Sequence, residues 1–465
     1  MFVILNSNIL RNIRMSNFNA KIQEFEKYLE NIASFTISEA LAQGASEAEI
    51  SLGGVTGLNV SSRDCDIENI EFNRDNGMDI TVYCNKRRGR ASTTDLSKDA
   101  LKQCVCSAIN IASFADEDPD CGLCDKELQC TEFPDLDILF EPDSDPETAA
   151  SYVVELEKKA VAHLPLGIKA SDGASYSSNV YTNVLANSQG FCHARSASSF
   201  YKGLTFLGES NGRMERGSGY SIARSKDDLY DDGKVIKEAL EQTLGKLNPK
   251  SVPTGIYNVI FTKGAAVSLW QSLVNAIAGG ALYRKSSFLC DSLNQQILPE
   301  FVSIKEDPSL KKTFGSASYD NEGVAVKPMN IVENGVLKEY LLSTYSAKKL
   351  NMRSNGHCGG IYNWFIDFGA HQLSFEQMLD NVSEGLVIDS LMGQGIDLIS
   401  GNYSQGASGY YFKNGKRVHA VSEITIAGNL KDMFSNLQAM ADDIDQRFKI
   451  KTGSLLLPKM TVSGI

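Results

Sequence analysis

The sequence predicts an α+β fold in two lobes: an N-terminal lobe of mixed helix and strand, and a β-rich C-terminal lobe with several helices. Three observations carry this. Segments with apolar residues three and four apart are interleaved with segments that alternate residue by residue, so helices and strands both occur. The chain has 465 residues, more than a single hydrophobic core usually reaches. A non-periodic stretch from Lys246 to Gly255, with Pro249 and Pro253, interrupts the pattern near the middle. The expected units are residues 1–18 as a disordered extension, 19–248 as the N-terminal lobe and 249–465 as the C-terminal lobe.

Each element has a local reason. Ile22, Phe25, Leu29, Ile32 and Ala33 share one helical face, which predicts a helix over 19–43. Residues 46–62 alternate as a strand, with a turn expected at Gly53-Gly54. Residues 65–95 read as a meander turning at Asp75-Asn76-Gly77, because Asn-Gly is a strong hairpin signal. A helix is expected over 97–114, with Asp95 or Ser97 as its N-cap. The acidic stretch from Asp116 to Pro146 reads as loop. Asp145 then caps a helix over 146–163, with Pro146 in its first turn. Strands follow over 166–224, then a charged helix over 226–247. In the second half, Tyr257 to Phe261 reads as a buried strand and Gly264 to Tyr283 as one long apolar helix. Ser374 and Gln377 have capping-box spacing. From Gly385 onward, short apolar runs alternate with Gly, Asn and Ser, as in β structure.

Composition excludes several functions. Lys plus Arg number 45 and Asp plus Glu 57, a net charge of −12. Binding nucleic acid through its phosphates needs clustered positive charge, so no nucleic-acid partner is expected. No apolar run approaches the ~18 residues of a membrane span, so no membrane partner is expected. The first 14 residues lack the order of charges and the cleavage site of a signal peptide, and a cytoplasmic protein is expected. Ten cysteines are present. Cys104, Cys106, Cys121 and Cys124 could form a zinc knuckle, but Cys104 and Cys106 fall on a helix about 200° apart, which suits shared ligation badly. The five histidines form no helical zinc pair. His357 and Cys358 are adjacent, but neighbours in an extended loop diverge rather than form a dyad. Ser408 lies in Gly406-Ala407-Ser408-Gly409-Tyr410, which lacks the last glycine of a nucleophile elbow.

Several longer strings are more specific. They include Asn73-Arg74-Asp75-Asn76-Gly77 with Arg90-Ala91-Ser92-Thr93-Thr94-Asp95, and Asp320-Asn321-Glu322-Gly323-Val324. Gly393-Gln394-Gly395-Ile396-Asp397, Ser400 to Gly409, and Ile424 to Met433 follow in order. Together these resemble the TldD/PmbA family of bacterial peptidases, from about residue 20 to the C-terminus. Ile277 to Ser286 and Gly356-His357-Cys358-Gly359-Gly360-Ile361 look like its PmbA, or TldE, type.

The resemblance implies the following. The TldD type holds zinc through His-Glu-x-x-x-His on a helix and a later cysteine; the metal activates water and the Glu acts as base. The corresponding helix here, Gly264 to Gly280, contains no His, Glu or Cys, and no cysteine follows Cys358. No catalytic residue, no metal ligand and no cofactor are therefore expected in this chain. Zinc is expected in a TldD-like paralogous partner, in a heterodimer or larger complex that hydrolyses unfolded or small peptides. The isolated chain could form a homodimer. The alternative is a stand-alone peptide-binding or regulatory protein without peptidase activity. A third reading, zinc held by His357, Cys358 and His419, has no supporting ligand spacing. Candidate peptide-binding positions are Gly359, Gly360, Asn402, Ser404, Ser408 and Tyr410. Their competing explanation is tight turns and sheet packing.

Overall fold

The structure is a computed structural model that describes residues 17–143 and 145–464. Apart from Asn17 and Phe18, the extension expected over 1–18 lies outside the described residues. The first lobe runs α1 (Phe2–Ala42), β1 (Glu47–Arg63), β2 (Asp66–Cys84), β3 (Arg87–Thr93), α2 (Lys98–Phe114), α3 (Pro146–Val161), β4 (Ile168–Asn187), β5 (Cys192–Ser210), β6 (Arg213–Ala223) and α4 (Asp232–Lys246). The strands form one antiparallel sheet in the order β3-β2-β1-β4-β5-β6.

The period of two decides which side chains go where. Ala48, Ile50, Leu52, Leu58 and Val60 of β1 are buried on one face. Leu29 and Ala33 of α1 and Val105 and Ala108 of α2 pack over the first three. Val153 of α3 packs over Leu58 and Val60. Val235 and Ala239 of α4 pack with Leu204 and Phe206 of β5 on the same side. Helices thus cover one face, and Glu49, Ser51, Asn183 and Arg195 project from the other.

Two expected turns are corrected. Gly53-Gly54 and Asn76-Gly77 lie inside long strands and pair with each other, Gly53 with Gly77 and Gly54 with Asn76. The β1–β2 turn is at Asp64 and Cys65, with φ of 54° and 59°. The glycines serve close approach instead. A Cβ on Gly53 would lie 2.2 Å from Asn183 Oδ1, and one on Gly57 2.0 Å from Asn179 Oδ1. A continuous register overrides the local Asn-Gly preference.

The second lobe runs β7 (Gly255–Tyr257), β8 (Val259–Phe261), α5 (Lys263–Ala276), α6 (Gly279–Tyr283), β9 (Ser303–Glu306), β10 (Met329–Glu333), β11 (Val336–Leu337), α7 (Thr344–Lys349), β12 (Trp364–Asp367) and β13 (Gln372–Leu373). It continues through α8 (Phe375–Val382), β14 (Glu384–Met392), β15 (Asn402–Lys413), β16 (Lys416–Asn429), α9 (Leu430–Ser435), β17 (Ala439–Ala441), β18 (Ile450–Lys451), β19 (Leu455–Leu456) and β20 (Met460–Ser463). A five-stranded sheet, β11-β10-β9-β12-β18, and a nine-stranded sheet, β13-β17-β19-β8-β14-β15-β16-β20-β7, share one core with α5. Leu269, Trp270 and Leu273 of α5 are fully buried there. Each such side chain contributes about 1.5–3 kcal/mol by leaving water. The expected helix over 264–283 is split. Gly279 opens α6 against α7, where a Cβ would meet Ser346 Oγ at 2.3 Å. The architecture is α+β, as the sequence predicts. Among the described residues, no helix is long and apolar enough to cross a membrane.

Candidate functional site

The uncovered face of the first sheet meets loops of the second lobe across a cleft. Two adjoining cavities, of about 290 and 450 Å³, share Asn183, Arg195, Tyr319, Asp320, Asn321 and Cys358 in their walls. The sheet supplies the floor. The opposite wall is the Asp320 to Val324 loop and the loop from His357 to Tyr362.

The first loop is built around the Asp320 carboxylate. Its Oδ1 accepts from the backbone N–H of Glu322 at 2.9 Å and of Val324 at 3.0 Å. Its Oδ2 accepts from Cys358 N–H at 2.9 Å, which joins the two loops. Gly323 takes a φ of 81°, which its lack of a Cβ permits. Burial, with Glu322 nearby, pushes the Asp320 carboxyl up to about 7 against three stabilising N–H donors. Burial and Glu322 likewise raise Glu49 to about 7, although the Tyr83 hydroxyl donates to it at 3.1 Å. The Cys358 thiol is pushed up by burial and by the carboxylates of Glu322 and Asp320. A thiol so placed is a poor nucleophile and a poor metal ligand, since both roles need thiolate.

Glu306 at the end of β9 holds the second loop. Its carboxylate is fully buried and accepts from Tyr362 N–H at 2.9 Å and Trp364 Nε1 at 2.8 Å. His357 Nε2 lies 2.8 Å from the same carboxylate, and its Nδ1 lies 2.9 Å from Asn355 Oδ1. His357 therefore points into the core while Cys358 faces the cleft. The two diverge and form no dyad. His419 is on β16, stacked on Tyr411 at 5.4 Å. The three groups of the third reading are thus not brought to one point.

The candidate peptide-binding residues fall in two places. Gly359 and Gly360 line the smaller cavity, at φ of 111° and 116°. Asn402, Ser404, Ser408 and Tyr410 lie on β15, a strand paired on both sides by β14 and β16. Their side chains share one face of that sheet, with Asn402 and Ser404 exposed. Ser404 is capped by Gly395, whose carbonyl accepts from Ser404 N–H at 2.7 Å. The Arg417 guanidinium lies 4.4 Å over the Tyr410 ring. These four are not among the cleft residues. Sequence reasoning missed Glu49, Asn183, Arg195, Arg224 and Lys449, which line the cleft from strands and a loop distant in sequence. A single polar residue on an alternating strand carries no signal for such a role.

The fit of a metal is decided by donors. The polar side chains of α5 are Lys263, Ser268, Gln271, Ser272 and Asn275, none a usual zinc ligand. Its inward face is packed: Trp270 Nε1 donates to Thr452 Oγ1 at 3.0 Å inside the core. Among the described residues, no group of three or more His, Cys, Asp or Glu is arranged to hold a metal ion. The ten cysteines are free thiols, and Cys104 is buried on α2 while Cys106 is exposed. The residues present do not fit a zinc site.

Comparison with known proteins places this architecture. A family model described as the PmbA/TldA metallopeptidase C-terminal domain matches residues 254–464. Models for domain 1 and the central domain of the same family match residues 48–112 and 141–247. The chain is 41% identical to the metalloprotease PmbA of Escherichia coli O157:H7 over 450 residues, 96% of this chain and 98% of that one. It is 39% identical to the PmbA homologue of Haemophilus influenzae, over 96% of this chain and 99% of the relative. Among solved structures, a Bacteroides thetaiotaomicron protein superposes with a TM-score of 0.86 at 24% identity, over 94% of this chain and 98% of that one. TldE from Thermococcus kodakarensis superposes with a TM-score of 0.75 at 18% identity, over 94% of this chain and 100% of that one. The chain therefore belongs to the PmbA/TldA metallopeptidase family, as a member of its PmbA type.

Proposed function

We propose that this chain is the peptide-holding, non-hydrolytic subunit of a cytoplasmic metallopeptidase complex, partnered by a TldD-like paralogue that carries the zinc. Two features of the molecule support the reading, and one carries it. A polar cleft made of two adjoining cavities lies in the same chain as an α5 that has no group able to bind a metal or activate water. The cleft acids are engaged in holding the structure: Glu322 accepts from Thr344 N–H at 2.7 Å and Asp79 pairs with Arg90 at 3.0 Å. Asp320 uses both oxygens to hold two loops together, and Glu49 faces Tyr83. The role of the cleft is to admit an unfolded or small peptide and exclude folded protein by size. A second reading is a stand-alone peptide-binding protein that uses the same cleft without a partner.

Co-expression with a TldD-like chain tests the proposal. The expected result is a complex that survives size-exclusion chromatography, with zinc retained by the partner and not by this chain when each is purified alone. Stoichiometric zinc on this chain alone would overturn it. Tight peptide binding by this chain, with no complex formed, would favour the second reading.

A further inference from the structure

Arg195, Arg224 and Lys449 converge on the 290 Å³ cavity from β5, from the end of β6 and from the loop before β18. Their charges are unusually free. The Arg224 guanidinium donates to two backbone carbonyls, Ser198 O at 2.8 Å and Thr313 O at 3.4 Å, and stacks 4.4 Å over Phe314. Among the described residues, Lys449 Nζ donates only to the carbonyl of Ile361, at 3.5 Å. Arg195 lies 5.6 Å over the Tyr319 ring. Among the described residues, none of the three forms an ion pair with a carboxylate. Asp320 is the one acid in this cavity's wall, and its oxygens are occupied by three backbone N–H groups. Glu306 lies behind Lys449, but it is buried and committed to His357, Tyr362 and Trp364.

Three like charges sharing one cavity repel, and in a partly dry site the cost grows. Burial, and then Arg195, hold Arg224 down to about 10; burial, and then Arg195 and Arg224, lower Lys449. Arg195 and Arg224 are half-buried and Lys449 is exposed, and cations gathered in a cleft without a counter-charge mark a candidate site for an anionic group. Planar guanidinium groups with unused N–H donors match a carboxylate in a two-pronged geometry.

We infer that Arg195, Arg224 and Lys449 form a carboxylate subsite that anchors an acidic group of the bound peptide in the cleft. The inference rests on the peptide-binding reading above. Two sources share this chemistry, the C-terminal carboxylate and an Asp or Glu side chain. Gly360 has no atom within 4 Å of where its Cβ would be, which leaves the subsite open at its rim.

The test uses the full chain and fluorescence anisotropy with an N-terminally labelled Ala/Thr/Val peptide. Three forms are compared: a free C-terminal acid, the C-terminal amide, and the amide with one internal Glu. A lost charge-assisted contact should weaken binding about tenfold or more. The expected result is that the plain amide binds that much more weakly than the acid, and that Arg195→Met and Lys449→Met, with unchanged melting temperatures, abolish the difference. Recovery of affinity by the Glu-bearing amide assigns the site to side-chain carboxylates; no recovery assigns it to the C-terminus. Equal binding of all three peptides would overturn the subsite and leave the peptide-binding reading standing. Failure of every peptide to bind would overturn both.

Discussion

Glu49 shows how much one residue's surroundings decide. It lies on β1 facing the cleft, near Glu322, Arg88 and Arg90, with the Tyr83 hydroxyl as its donor. Its carboxyl ionises near 7 in the folded chain against 4.5 for an unperturbed group. The folded state therefore holds this proton more tightly than the unfolded state does. By linkage, its contribution to stability is full below pH 4.5 and is lost as pH rises through about 7. Glu49→Gln keeps the acceptor for Tyr83 and removes the titration. The variant should gain on the parent chain between pH 4.5 and 7.5, by up to about 3 kcal/mol. Urea unfolding of both chains across that range checks it. A parallel pair of curves would show that Glu49 ionises normally.

At the scale of elements, some parts of the fold were legible and others were not, for physical reasons. Caps are local chemistry, and they read correctly. Ser97 caps α2, Asp145 caps α3 with Pro146 in its first turn, and Ser374 with Gln377 forms the capping box of α8. The glycines of β1 and β2 misled because their reason is non-local: Gly53 and Gly57 give room to Asn183 and Asn179 on the neighbouring strand. The same distinction applies to the cleft loop. Gly359 and Gly360 both adopt a φ that side chains rarely take, so alanine strains either by about 1–3 kcal/mol. Only at Gly359 would a Cβ also collide, 2.4 Å from Asn321 Nδ2 in the opposite loop. Gly359→Ala should therefore lower the melting temperature and displace the Asn321 loop, weakening peptide binding. Gly360→Ala should cost strain alone. Equal loss of stability and binding in the two variants would contradict the packing observed here.

At the scale of the molecule, the cleft exists only because two lobes are held in fixed relation. Arg447, with a side chain 9% exposed, is the main pin. From the second lobe it reaches Glu238 on α4 at 2.8 Å and 3.0 Å, donates to Tyr220 O at 2.7 Å and stacks 4.2 Å over the Tyr220 ring. Asp445 beside it is buried and depends on the same guanidinium. Arg447→Met would leave Asp445 buried without its counter-charge, at a cost of about 3–5 kcal/mol. Calorimetry should then show a broader or more clearly split transition than the parent chain gives, as the lobes uncouple, and limited proteolysis should cut near residue 250. Unchanged unfolding would mean that the other contacts suffice. Those include Lys349 with Asp118 and Asp120 at 2.9 and 2.8 Å, and the ladder contacts of Cys130 and Ala325. None of these pairings was legible in the sequence, because the partners lie more than a hundred residues apart. The α+β class was legible, since the periodicity of apolar residues is a property of the chain itself.

The proposed division of labour, in which this chain holds peptide and a paralogous partner cuts it, is open to direct measurement. The most direct measurement is cleavage of an unfolded polypeptide by this chain alone, by a TldD-like chain alone and by the two together, each with and without a zinc chelator. No cleavage is expected from this chain alone, and the mixture should cleave in a way that the chelator abolishes. Chelator-resistant cleavage by this chain on its own would contradict that division of labour.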